Sequence, residues 1–235
     1  MGQHGKYRAL VRLGALFSAV LTTPAEAACR LALVLALDVS ASVDAREYDL
    51  QRAGLAAALD APDIRHAILQ DSAGDVALAV YEWSGRFQER LHLDWTPLRR
   101  EADITRAASI IAGMERSTAE HPTALGYALG YGSRLMARAP DCARRVIDVS
   151  GDGITNQGFA PTLAYRHFPF EGITVNGLVI LGHDPDVLGH YRDEVLHGPA
   201  AFLETARGFD DFERAMGRKL FREISDLQVG ALHDQ

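Results

Sequence analysis

Cysteine is nearly absent: Cys29 and Cys142 are the only two in 235 residues, so at most one intrachain disulfide can form, and only where the compartment is oxidising. There is no Pro/Gly/Ser-rich linker, no repeat of solenoid length and no low-complexity tract, which argues for one compact domain with a substantial core. A Gly-x-Ser-x-Gly elbow, a dinucleotide-binding glycine fingerprint and a Walker loop are all missing. Their absence removes the sequence support for an α/β hydrolase, a nicotinamide or flavin enzyme and a P-loop nucleotidase.

Long apolar runs are also missing. The run from Leu13 to Leu21 is too short for a stable membrane span, yet its setting is informative. Lys6, Arg8 and Arg12 precede it, and Ala25-Glu26-Ala27 follows it with small residues where a signal peptidase needs them. The layout predicts a signal peptide over residues 1–27 and a mature domain over 28–235 that is exported, periplasmic or secreted, with no transmembrane anchor after cleavage; an uncleaved anchor is the alternative. Loss of those three basic residues with Glu26 makes a formal net charge of -7 more negative still, which disfavours a nucleic-acid partner.

Beyond the leader, strand-like and helix-like stretches alternate. Arg30–Leu37 is an apolar run suited to a central strand, followed by a helix capped by Ser42 or Asp44 and running to about Leu59, with Tyr48, Leu50, Ala53, Leu55 and Ala58 as its buried stripe. Residues 75–83 form a second strand. Residues 86–98 form a third, joined to the second by a short Ser84-Gly85 link and so antiparallel at the sheet edge. Helices at 103–114 and 123–138, strands at 144–150 and 173–181, a helix near 186–194, a strand at 201–206 and a helix at 210–225 complete the pattern. This predicts an α/β, Rossmann-like, doubly wound and mostly parallel sheet with helices on both faces, whose ligand crevice lies at the carboxyl ends of the strands.

Two strand ends in that crevice carry oxygen. "LALVLALDVSASV" stops being apolar at Asp38 and then offers Ser40 and Ser42, while "RRVIDVSGDG" delivers Asp152. Two carboxylates and several hydroxyls, with no His or Cys interleaved, suit Mg2+, or alternatively Mn2+ or Ca2+. "DVSAS" resembles the Asp-x-Ser-x-Ser signature of von Willebrand factor A domains, which carry a metal-ion-dependent adhesion site, and the resemblance extends from Leu31 to about Ser225. It implies a six-stranded sheet of order 3-2-1-4-5-6 and a metal shell drawn from Asp38, Ser40, Ser42, Thr123 and Asp152. Ser117 and Thr118 compete with Thr123 for the loop hydroxyl, and Gly151 stands where that family often has Thr. Neutral hydroxyl ligands leave the ion a place for an incoming carboxylate, so the implied partner is a protein presenting an Asp or Glu.

If the first and fourth strands are parallel neighbours, Cys29 and Cys142 fall about 30 Å below the two Asp residues, and strand spacing allows a bridge there, two free thiols being the alternative. Two other functions compete for the same site: a metal-dependent hydrolase, and a scaffold without metal function. His183, His190 and His197, with Asp184, Asp186 and Asp193 among them, read as a solvated loop and helix because Pro185, Gly189 and Gly198 interrupt any common face. Trp83, Phe87 and Trp95 read as packing groups, and Arg144 and Arg145 as solvated.

Overall fold

The computed structural model describes residues 1–2, 29–70 and 74–225; beyond Met1 and Gly2, the expected signal peptide lies outside the described residues. In chain order the elements are β1 (Cys29–Asp38), α1 (Ala45–Asp60), α2 (Pro62–Leu69), β2 (Asp75–Trp83), β3 (Arg90–Leu98), α3 (Glu101–Ala112), α4 (Leu125–Met136), β4 (Cys142–Gly151), α5 (Pro161–His167), β5 (Ile173–Ile180), α6 (Val187–His190), a π-helical turn (Tyr191–Val195), β6 (Leu203–Ala206), a 3-10 turn (Phe209–Asp211) and α7 (Phe212–Ile224). The six strands form one sheet of order β3-β2-β1-β4-β5-β6, parallel throughout except for β3, which runs antiparallel to β2 at the edge. This is the expected Rossmann-like architecture.

Alternation along the central strands divides the core in two. Leu31, Leu33, Leu35 and Leu37 enter the layer shared with α1, α3 and α7, whereas Ala32, Val34 and Ala36 enter the layer under α4 and α5. The small side chains on the second face let α4 sit close. A Cβ at Gly132 would lie 3.0 Å from the Tyr81 hydroxyl, and one at Gly126 only 2.1 Å from the Phe159 carbonyl oxygen. The glycines of "GYALGYG" are therefore a packing device. Arg30, at the foot of β1, is buried rather than apolar: it donates to Ala67 O at 2.7 Å and Ile224 O at 2.6 Å, meeting carbonyls at the ends of α2 and α7.

Several local expectations need correction. Two short helices, α2 and α5, went unforeseen; both open with Pro at the first helical position, Pro62 and Pro161, where a missing N–H costs nothing. The β2–β3 connection is Ser84–Glu89, longer than a Ser-Gly link, and Phe87 in it has φ 62° and is 78% exposed, so it is not a core group. Trp83 is fully buried, and half-buried Trp95 donates its indole N–H to Leu135 O. Ala53 faces solvent, while Gly54 is buried where α7 approaches closely and Gln51 is buried where it donates to Asp38 O. Arg144 and Arg145 lie within β4, and Arg144 donates to Glu223 O at 3.0 Å.

Cys29 and Cys142 face each other in the β1–β4 register and form a disulfide with Cα atoms 4.4 Å apart, closing a loop of 113 residues. A crosslink over so long a loop removes much unfolded-chain entropy. Replacing both cysteines with alanine should lower stability by about 2–5 kcal/mol, read by denaturant unfolding; an unchanged midpoint would contradict that role.

Candidate metal centre

Three chain segments meet at the carboxyl ends of β1 and β4. β1 ends at Asp38 and turns through Ser40 and Ser42; Thr123 stands just before α4; Asp152 follows β4. Asp38, Ser40, Thr123 and Asp152 are buried and Ser42 is half-buried. The Ser42 hydroxyl donates to Asp152 Oδ1 at 2.7 Å, Ser40 Oγ and Ser42 Oγ are 3.1 Å apart, and Thr123 Oγ1 donates to Ser40 Oγ at 3.3 Å. All five predicted residues thus gather on one rim, and Thr123 is the loop hydroxyl bonded into the group. Ser117 instead donates its backbone N–H to Glu82 Oε2, joining a buried set with Tyr48, whose hydroxyl donates to Glu82 Oε1 at 2.6 Å.

Local structure dictates why the hydroxyls are free to converge. Asp44 caps α1 in a reciprocal capping box with Glu47, so Ser42 has no capping duty and turns toward Asp152. The Ser40 N–H donates to Asp38 Oδ1 at 2.8 Å, which fixes one carboxylate oxygen. Gln51 Nε2 donates to Asp38 O at 2.9 Å, and Arg116 Nη2 donates to the carbonyls of Val39, Ser40 and Val43, bracing the whole turn. Asn156 Oδ1 accepts from Thr123 N at 2.8 Å and Asn156 N donates to Thr123 O, tying the α4 loop to the loop after β4. None of these supports was visible in the sequence. The one signal for Arg116 and Asn156 was a polar residue near a motif loop, which is too common to select them.

The arrangement leaves two acids exposed to each other electrostatically. Asp38 Oδ2 and Asp152 Oδ2 are buried and have no hydrogen-bond partner. Burial first, and then the Asp152 carboxylate, push the Asp38 carboxyl up to about 7, against the opposing pull of Ser40 and Arg116. A hard divalent cation fits this chemistry, since it supplies positive charge where two carboxylate oxygens lack a donor and accepts hydroxyl oxygens as neutral ligands. Among the described residues no three His, Cys, Asp or Glu side chains gather as a metal-holding cluster, so the candidate donors are two carboxylates completed by hydroxyls. A cleft of about 290 Å³ opens beside Ser42 and Thr123, walled by Gly153, Asn156, His183 and Asp184. The three histidines go to separate places: His183 to this cleft, His190 to Thr155, and His197 to a stack on Tyr165 with centroids 4.2 Å apart.

A pH prediction follows for protein held free of metal. The folded state binds the Asp38 proton more tightly than the unfolded chain, so this group's contribution to stability is full below about pH 4 and is lost as pH rises toward 7. Asp38→Asn should therefore unfold at higher temperature than wild type in chelator at pH 8, and the gap should shrink at pH 5. Its ceiling is about 4 kcal/mol, each tenfold change in proton affinity being worth about 1.4 kcal/mol.

Solved structures share the fold. The proximal thread matrix protein 1 of the mussel byssus, with a zinc-occupied MIDAS motif, superposes with TM-score 0.59 at 17% identity over 85% of this chain and 47% of its own. A von Willebrand factor type A protein from Catenulispora acidiphila gives TM-score 0.57 at 16% identity over 84% and 42%, and the pilus adhesin SpaC from Lactobacillus rhamnosus GG gives 0.60 at 13% over 84% and 31%. The chain spans about half the length of the mussel protein or less of the other two. No curated protein matches the sequence. The chain has the von Willebrand factor A fold, and with residues 28–228 matched it belongs to the family described as protein of unknown function (DUF1194).

Proposed function

We propose that residues 28–235 are an exported, divalent-cation-dependent protein-binding domain, released from a signal peptide at 1–27, and that Asp38, Ser40, Ser42, Thr123 and Asp152 hold the cation. What carries the reading is the hydrogen-bonded chain from Thr123 through Ser40 and Ser42 to Asp152, with a buried, unpaired oxygen left on each Asp. Mg2+ is the first candidate for an all-oxygen set, with Mn2+ or Ca2+ as alternatives. When bound, the cation supplies Lewis acidity and a coordination place that a partner's carboxylate can take.

The chain's own residues then do three things. The two Asp carboxylates neutralise most of the ionic charge, the three hydroxyls fill places without adding charge, and the cleft beside Ser42 and Thr123 admits a side chain the size of Asp or Glu. Export agrees with the single disulfide. Among the described residues no helix is long and apolar enough to cross a membrane.

Calorimetric titration tests the site. Wild type should bind Mg2+ or Mn2+ with close to one ion per chain, and Asp152→Ala should lose more than the roughly 10- to 100-fold that removal of an outer-shell partner costs. Unchanged affinity in Asp152→Ala would defeat the assignment. A second reading, a metal-dependent hydrolase, is favoured by one observation: His183 stands on the cleft wall, where a general base would be needed. Chelator-sensitive capture of envelope proteins, competed by a short acidic peptide, supports adhesion. Chelator-sensitive turnover of phosphate or ester substrates that His183→Ala abolishes supports the hydrolase.

A further inference from the structure

We propose that Tyr191 is a positioning residue of the candidate metal centre: its phenol, laid across the sheet over two glycines, is poised to hydrogen-bond one lone pair of the free oxygen of Asp38, leaving the other for the cation, and so sets the direction in which that carboxylate faces. The inference rests on the metal-binding reading and adds a residue that no motif contains.

Tyr191 opens the π-helical turn after α6 and is fully buried in the core layer beneath α4 and α5. Its hydroxyl is buried and has no hydrogen-bond partner. Two missing side chains clear its path. A Cβ on Gly177 of β5 would lie 2.8 Å from Tyr191 Cδ1, and a Cβ on Gly151 of β4 would lie 2.5 Å from the Tyr191 hydroxyl and 2.9 Å from Asp38 Oδ2. The phenol oxygen and the carboxylate oxygen therefore flank the same spot, which only glycine leaves open. A Thr at 151 would collide with both.

The two atoms are chemical complements. A phenol carries one proton to donate, and an ionised carboxylate oxygen carries only lone pairs. Each left alone costs about 1–3 kcal/mol of desolvation, so two orphans flanking one spot have a strong drive to pair, by a small closing movement or through one bridging water. Asp38 Oδ1 is already tied to the Ser40 N–H. A second bond at Oδ2 would fix the carboxylate plane, the kind of outer-shell constraint that orients a ligand before an ion arrives. A π-helical turn is a local distortion often found where a helix must aim a functional side chain.

The test uses the full exported chain as wild type, Tyr191→Phe and Gly151→Ala, titrated with Mg2+ and Mn2+ by calorimetry. Electron paramagnetic resonance of bound Mn2+ and thermal unfolding in chelator accompany it. Tyr191→Phe keeps the ring and removes only the hydroxyl, so the metal-free protein should still fold with a slightly lower unfolding temperature, as the loss of one buried hydrogen bond requires, while ion affinity should drop about 10- to 100-fold and the Mn2+ spectrum should change. Gly151→Ala should displace the phenol and weaken binding likewise. Wild-type affinity and an unchanged Mn2+ spectrum in Tyr191→Phe would reduce Tyr191 to a packing group. Should Tyr191→Phe fail to fold, wild-type affinity in Gly151→Ala would overturn the role equally. A wild type that binds neither ion would overturn the metal reading, and the role of Tyr191 with it.

Discussion

The parallel register of β1 against β4 is the constraint on which the molecule depends. Cys29 pairs with Cys142 at one end, and Leu37 pairs with Ser150 at the other. One alignment therefore sets both the disulfide and the arrival of Asp38 at the level of Gly151, one residue before Asp152. Because side-chain direction alternates along a strand, a one-residue slip would send Asp38 to the opposite face and empty the site. The buried leucines and alanines of β1 oppose such a slip, since Leu31, Leu33, Leu35 and Leu37 fit only the layer under α1 and α7.

The order of the elements and the oxygen-bearing strand ends at Asp38, Ser40, Ser42 and Asp152 were legible because each depended on a short-range signal, whereas Thr123 came only from the family resemblance. Apolar runs marked the buried strands, Ser84-Gly85 marked a reversal, and Asp-x-Ser-x-Ser sat at a strand end. What remained hidden was set by tertiary approach. Gln51 on α1, Arg116 after α3, Asn156 after β4 and Tyr191 beyond β5 come to the same rim from four elements, and no spacing between them exists to be read. The two short helices were missed for a different reason. Seven or eight residues give no clear periodicity, and only the Pro at the first position announced them.

Glycine placement ties these two kinds of information together. Gly151 looks, in the sequence, like a departure from the expected Thr, and by itself it says only that a loop is altered. In the folded chain Tyr191 and Asp38 share the space beside it, so the departure and the distant tyrosine form one feature. The same logic applies at Gly177, where a β-strand accepts a residue that weakens it because an aromatic ring must pass.

The opposite face of the sheet carries a second polar cluster, and its energetics explain why the site loop has a fixed base. Lys219 of α7 is fully buried, with its ammonium 3.1 Å from Asp148 and 2.7 Å from Glu223, while Asn176 donates to Glu223 at 2.9 Å. Burying an ammonium with two carboxyl groups contributes little net stability compared with apolar residues of the same volume, but removing one partner costs about 3–5 kcal/mol. Sliding α7 by a turn would be such a removal. An apolar helix face alone tolerates small shifts; Lys219 against Asp148 of β4, with Glu223 held by Asn176 of β5, does not. α7 packs on α1 so closely that a Cβ at Gly54 would lie 3.1 Å from the Glu213 backbone, and α1 begins immediately after the Ser40–Ser42 turn. The buried lysine thus fixes α7, α7 fixes α1, and the capped start of α1 holds Ser42 against Asp152.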